Sequence, residues 1–175
     1  MSHILHPGNY IVANKAHNMH LGRGIHEDKS LLPKDIVTLP GGVRAPIWKV
    51  ERLHDGRYKL AVSKPPGREQ YVADIKDKVY AILDPKGPAK PTEWTIKPIE
   101  GHGPHVYIVE ASRKVWTVPH STKPYAQVVM ETMIVKVAEA QEEIPLPHSP
   151  TQLFTFIPAP GPRDDDEDND EIRED

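Results

Sequence analysis

The residue types best suited to chemistry are plentiful in this chain but poorly arranged for it. Its 175 residues include ten histidines and no cysteine. Three histidine pairs stand three residues apart: His3/His6, His17/His20 and His102/His105. That interval puts two imidazoles on one face only when the backbone is helical. Here each pair lies among Gly, Pro or Asn, the residues of turns. No His-Glu-x-x-His occurs, so no metal site is expected, and without cysteine there are no thiolate ligands, thiol nucleophiles or disulfides. There is no Gly-x-Ser-x-Gly elbow, and Gly22-Arg23-Gly24 lacks the third glycine and following helix of a phosphate-cradling loop. No Ser, His and Asp are nominated as a trio. The expectation is a protein that is not an enzyme and needs no cofactor.

What remains is binding through loops. The longest polar connection in the first third runs from His26 to Asp35, between apolar runs at Leu21–Ile25 and Ile36–Leu39. It carries Lys29 followed by Ser30, and Pro33 stiffens its exit by fixing φ. Leu31 and Leu32 are expected to pack inward. A stiff, protruding loop with a lysine at its tip can imitate the substrate of a trypsin-like protease. The cation must be long enough to meet a carboxylate at the base of a deep pocket. The backbone around it must also be held in advance, so that little ordering entropy is lost on docking.

Such a loop needs a rigid scaffold, and the scaffold is legible as a repeat. Gly8-Asn9-Tyr10-Ile11-Val12 resembles Gly56-Arg57-Tyr58-Lys59-Leu60 and His105-Val106-Tyr107-Ile108-Val109, the tyrosines 48 and 49 residues apart. Later in each unit come Pro46-Ile47-Trp48-Lys49-Val50, Thr92-Glu93-Trp94-Thr95-Ile96 and Gln152-Leu153-Phe154-Thr155-Phe156. Between them lie Ile36–Leu39, Val79–Leu83 and Ala126–Met130. Alternating apolar and polar residues mark half-buried strands, and Asp55-Gly56 marks a hairpin. Nineteen prolines, roughly twice the usual share of ~5%, argue against a helical protein. Three units of this kind predict an all-β protein, a β-trefoil of twelve strands in three pseudo-symmetric units. Six strands would form a short barrel and six would cap it. A propeller usually needs four or more blades; a sandwich with accidental similarity is the alternative. Residues 126–143 are expected to form two strands, bent near Glu131-Thr132.

The trefoil domain is expected over residues 1–160, and residues 161–175 read as an acidic, disordered tail. From Arg163 onward nine acids face two arginines, a net of −7, which leaves +4 on the rest of the chain. No basic run interleaved with aromatics points to nucleic acid, and no apolar stretch is long enough to cross a membrane. With no leader pattern and no cysteine, the expected location is cytoplasmic, and a monomer is expected.

Residues Gly8-Asn9-Tyr10-Ile11, Glu27-Asp28-Lys29-Ser30-Leu31-Leu32-Pro33-Lys34 and Leu39-Pro40-x-Gly42-x-x-Ala45-Pro46-x-Trp48-x-Val50-Glu51 resemble the fungal β-trefoil serine protease inhibitors, the cospin-like family of mushrooms. The similarity runs from about Pro7 to Pro158, thinning through Trp94-Thr95-Ile96, Tyr107–Glu110, Val115-Trp116 and Gln152-Leu153-Phe154. The resemblance implies a cytosolic defence protein that blocks trypsin-like enzymes without a cofactor. It implies that the loop after the second strand supplies the pocket residue, here Lys29. Glu27 and Asp28 would precede that residue, with Ser30 and Leu31 following on the leaving side. Other members use a late loop, where this chain offers Lys136 and an insert from Ala138 to Pro150; Arg23 and Lys34 are further cationic candidates. Two other trefoil activities compete. A ricin-like lectin would show Gln-x-Trp in each unit, and only Gln152-Leu153-Phe154 keeps the glutamine. Inhibition of a cysteine protease is the other.

Overall fold

The aromatic and apolar runs become strands because alternating polarity suits a sheet with one buried face. A computed structural model describes residues 4–64, 68–120, 123–134 and 148–159. The first third forms β1 (Gly8–Asn14), β2 (His20–Arg23), β3 (Lys34–Leu39) and β4 (Trp48–Arg52). The second forms β5 (Tyr58–Ser63), β6 (Glu69–Ile75), β7 (Lys78–Ala81) and β8 (Thr95–Pro98). The last forms β9 (Val106–Ala111), β10 (Lys114–Thr117), β11 (Val129–Glu131) and β12 (Phe154–Pro158).

Their antiparallel pairing closes a ring. β1 pairs with β4, β4 with β5, β8 with β9, β9 with β12, and β12 returns to β1. The remaining seam is the Tyr58↔Trp94 bridge, with backbone hydrogen bonds of 2.8 and 2.7 Å in the two directions. The other six strands form the pairs β2–β3, β6–β7 and β10–β11. These are stitched to one another by β3–β7, β7–β11 and the Val37↔Gln127 bridge. Closure of this kind leaves few free strand edges, which protects the sheet from pairing with other chains. The result is an all-β, trefoil-like closed barrel with a cap.

The repeated aromatics meet in the middle. Trp48, Trp94 and Phe154 are fully buried, and Trp116 of β10 packs against all three, with ring centroids 5.7, 5.5 and 5.5 Å away. Tilted and edge-to-face contacts like these add to the large apolar area each ring removes from water. Trp48 also donates its indole N–H to the Leu21 carbonyl at 2.9 Å, tying β4 to β2. Leu5, 1% exposed, enters the same core, and its carbonyl accepts from the Tyr58 hydroxyl at 2.7 Å. The neighbouring His6 carbonyl accepts from Tyr10 at the same distance.

Of the two strands expected after Ala126, the described residues hold the first. One short strand, β11, ends at Glu131. The buried Gln152 side chain then takes up the chain: its amide donates to the Thr132 carbonyl at 2.9 Å, and its oxygen accepts from the Ile134 N–H at 2.7 Å. Those backbone groups would otherwise enter a sheet ladder, so the strand stops there. The remainder of the expected second strand lies outside the described residues, as does the acidic tail. No helix among the described residues is long and apolar enough to cross a membrane.

Candidate functional site

The cap hairpins differ in length, and that difference creates the site. β6 turns into β7 through two residues, Lys76 and Asp77, whereas β2 reaches β3 through ten, residues 24–33. The base of the long loop is fixed by close packing. A Cβ added at Gly22 in β2 would stand 2.3 Å from the Pro46 side chain, so glycine alone lets that backbone lie against the Pro46 segment.

Two carboxylates then brace the loop, Glu27 from inside and Asp28 from the surface. Glu27 receives two hydrogen bonds from the Arg23 guanidinium, at 2.7 and 3.2 Å, and one from the Lys64 ammonium at 3.0 Å. Lys64 also donates to the Gly24 carbonyl at 2.7 Å. Burial pushes the Glu27 carboxyl up, but the two cations outweigh it and hold the group below its usual range. Asp28 accepts from the Lys34 ammonium, from the Ser30 hydroxyl at 2.6 Å and from the Ser30 N–H at 3.0 Å. The Lys34 contact, followed by the two Ser30 bonds, keeps the Asp28 carboxyl well below the ordinary carboxylate range. The Ser30 hydroxyl receives the Leu32 N–H at 3.3 Å, closing a second small turn.

Lys29 stands between these braced neighbours. It is exposed, and its side chain has no hydrogen bond or ion pair among the described residues. The other cationic candidates are placed differently. Arg23, with a side chain 10% exposed, is spent on Glu27, and Lys34, with a side chain 6% exposed, is turned inward to Asp28. Lys136 lies outside the described residues. Glu27, Asp28, Lys29, Ser30 and Leu31 are thus consecutive members of one internally bonded loop.

Leu31 and Leu32 do not pack inward as the sequence suggested. They are 64% and 66% exposed. It is the Lys34 side chain, not the leucines, that turns inward to reach Asp28 and Ser30. The Lys64 brace escaped sequence reading altogether. It follows directly after the end of β5, and a lysine before Pro-Pro-Gly reads only as a turn.

The other candidate chemistries find no support in the placement. Trp48, Trp94 and Phe154, the positions a Gln-x-Trp lectin would use, are 0% exposed and cannot stack on a sugar. Among the described residues no group of three or more His, Cys, Asp or Glu is arranged to hold a metal ion. The rings of His102 and His148 do approach, with centroids 6.4 Å apart, and each has one buried ring nitrogen without a hydrogen-bond partner. Burial, then repulsion from His148 and Lys15, depresses the His102 pKa.

A family model described as Peptidase inhibitor I66 matches residues 1–158. A serine protease inhibitor from Lentinula edodes is 33% identical over 137 residues, which span 77% of this chain and 88% of that one. Among solved structures, a proteinase inhibitor from Coprinopsis cinerea superposes with a TM-score of 0.74 at 30% identity, across 89% of this chain and 99% of its own. The designed threefold-symmetric protein ThreeFoil superposes with a TM-score of 0.60 at 16% identity, across 87% and 99%, a likeness of fold alone.

Proposed function

From a chain that belongs to the fungal peptidase inhibitor I66 family, and so is a protease inhibitor and not an enzyme, we propose a reversible, substrate-like inhibitor of trypsin-like serine proteases. Lys29 enters the specificity pocket of the protease, and Lys29–Ser30 is the bond presented to the catalytic serine. The protein works as a cytoplasmic monomer without a cofactor, on a barrel of three pseudo-symmetric units. One observation carries this reading: Lys29 is an exposed cation with no partner among the described residues, in a loop whose preceding carboxylates, Glu27 and Asp28, are each held by other cations. A pocket with a carboxylate at its floor can therefore take the ammonium without first breaking an internal ion pair.

The bracing also supports inhibition over turnover. Asp28 holds the N–H of Ser30, which is the leaving-group nitrogen if the Lys29–Ser30 bond is attacked. An amine kept in place beside its acyl partner reseals the bond sooner than it diffuses away, as effective concentration requires. Pre-ordering of the loop also reduces the entropy lost on docking. Inhibitor complexes of ordinary size bury about 1,600 Å² in total, and nanomolar affinity corresponds to about −12 kcal/mol. Most of that is expected on the pocket residue.

The experiment is a titration of trypsin with the purified protein and with Lys29→Ala. The variant is expected to lose inhibition by orders of magnitude while melting at the wild-type temperature. Inhibition unchanged in Lys29→Ala refutes the assignment, and parallel titrations of chymotrypsin and papain test the specificity.

A further inference from the structure

The cap holds a second long connection beside the first. β10 reaches β11 through residues 118–128, and the end of that segment is bonded to the strand that leaves the Lys29 loop. Thr38 of β3 donates its N–H to the Ala126 carbonyl at 3.0 Å and accepts at its own carbonyl from the Tyr125 N–H at 2.7 Å. Its hydroxyl receives the Ala126 N–H at 3.2 Å. Three hydrogen bonds to one threonine fix Tyr125 rigidly against β3.

Tyr125 is held there in a costly conformation. Its φ is +67°, the left-handed region that residues with a bulky side chain rarely occupy. Pro124 and Tyr125 are the central residues of a turn whose second position takes a positive φ, a place usually given to glycine or asparagine. The strain of placing tyrosine there does not serve burial, because the side chain is 39% exposed. A bulky, exposed aromatic where glycine or asparagine would fit with less strain points to a use for its ring.

The ring also lies where a docking partner must come. Ile25, His26, Asp28, Lys34, Val37 and Tyr125 share the lining of one concavity at the base of the Lys29 loop. Ile25, 48% exposed, offers a second apolar side chain on the same flank. A protease that takes Lys29 into a deep pocket brings the rim of its cleft down over that flank. Tyrosine suits such a contact, since it supplies a large rigid face at low entropic cost.

We propose that Tyr125 is a second contact residue for the target serine protease, gripping a loop at the rim of its cleft while Lys29 occupies the pocket. This rests on the reading of Lys29 given above. The test compares Tyr125→Ala, Tyr125→Gly and Lys29→Ala for inhibition of trypsin and for melting temperature. Tyr125→Gly removes the ring and relieves the backbone, so it is expected to melt no lower than wild type while its inhibition constant rises tenfold or more. Tyr125→Ala is expected to weaken inhibition to a similar degree. Wild-type inhibition constants in both Tyr125 variants, with inhibition lost in Lys29→Ala, overturn the Tyr125 contact and leave the loop standing. A clear fall in melting temperature for Tyr125→Gly also overturns it, since the ring would then be structural. Full inhibition by Lys29→Ala refutes the loop reading, and this inference with it.

Discussion

Glu27 offers the sharpest test of the idea that bracing the loop is distinct from holding the fold together. Its side chain is 12% exposed and meets Arg23 at 10% and Lys64 at 30%. Removing one partner from a fully buried pair costs about 3–5 kcal/mol, because the other charge is left uncompensated, whereas apolar replacement of both is often neutral. Lys64 keeps the Gly24 carbonyl and some access to water, so the cost falls at or somewhat below the bottom of that range after screening. Glu27→Leu is therefore expected to cost about 2–3 kcal/mol, mainly from the stranded Arg23 guanidinium. For a chain of this size that is a fall of roughly 4–12 °C in melting temperature. Arg23→Met leaves Glu27 with Lys64 and should cost about 1 kcal/mol. The double variant Arg23→Met/Glu27→Leu should recover to within about 1 kcal/mol of wild type, because both members of the buried pair are gone and Lys64 keeps the Gly24 carbonyl and access to water. Its loop is no longer tied to Lys64 through Glu27, so trypsin inhibition should still weaken on the order of tenfold, about 1.4 kcal/mol of ordering. Urea or thermal unfolding and a tight-binding titration on the same four proteins give both readings. A double variant as unstable as Glu27→Leu would refute the electrostatic reasoning. A stable double variant that inhibits like wild type would refute the role of the brace.

Two further outcomes concern the scaffold. The β9–β10 hairpin turns on Ser112 and Arg113 at φ of +52° and +68°, with neither Gly nor Asn to ease them; Ser112→Asn/Arg113→Gly should raise stability by about 1 kcal/mol, or 2–4 °C, and no rise in melting temperature counts against that hairpin geometry. The depressed pKa of His102 means that below its ordinary pKa of about 6.5 the unfolded chain binds more protons than the folded one, so stability should fall as pH drops from 7.5 to 5.5. His102→Gln should flatten that melting-temperature slope, and a slope identical to wild type would show that His102 is not its source.

The sequence revealed the strands because the repeat is written in large residues. Tyr10, Tyr58 and Tyr107 mark β1, β5 and β9, and Trp48, Trp94 and Phe154 mark the other wall of the barrel. Such residues are constrained by burial, so their spacing survives as a signal. Trp116 touches three of those aromatics but stands outside the repeated segments, so no period marks it. Leu5 was missed for a similar reason, since a single leucine ahead of the first strand carries no period. The loop was legible in position, but its inner arrangement was not. Which of Lys29 and Lys34 faces outward depends on Asp28 and Ser30 closing a turn, and spacing alone does not encode that. Lys64 illustrates the limit most clearly: a brace 40 residues away in sequence leaves no local mark.

The two-residue turn between β6 and β7 has a consequence for redesign and for descent alike. Both strands are locked by neighbours on either side, so their alignment does not depend on what joins them. Lengthening a connection costs only slowly with added residues. A ten-residue segment grafted beside Lys76, with Asp77 kept because its carbonyl accepts from the Met130 N–H and its carboxylate from Lys114, could give one barrel two inhibitory heads.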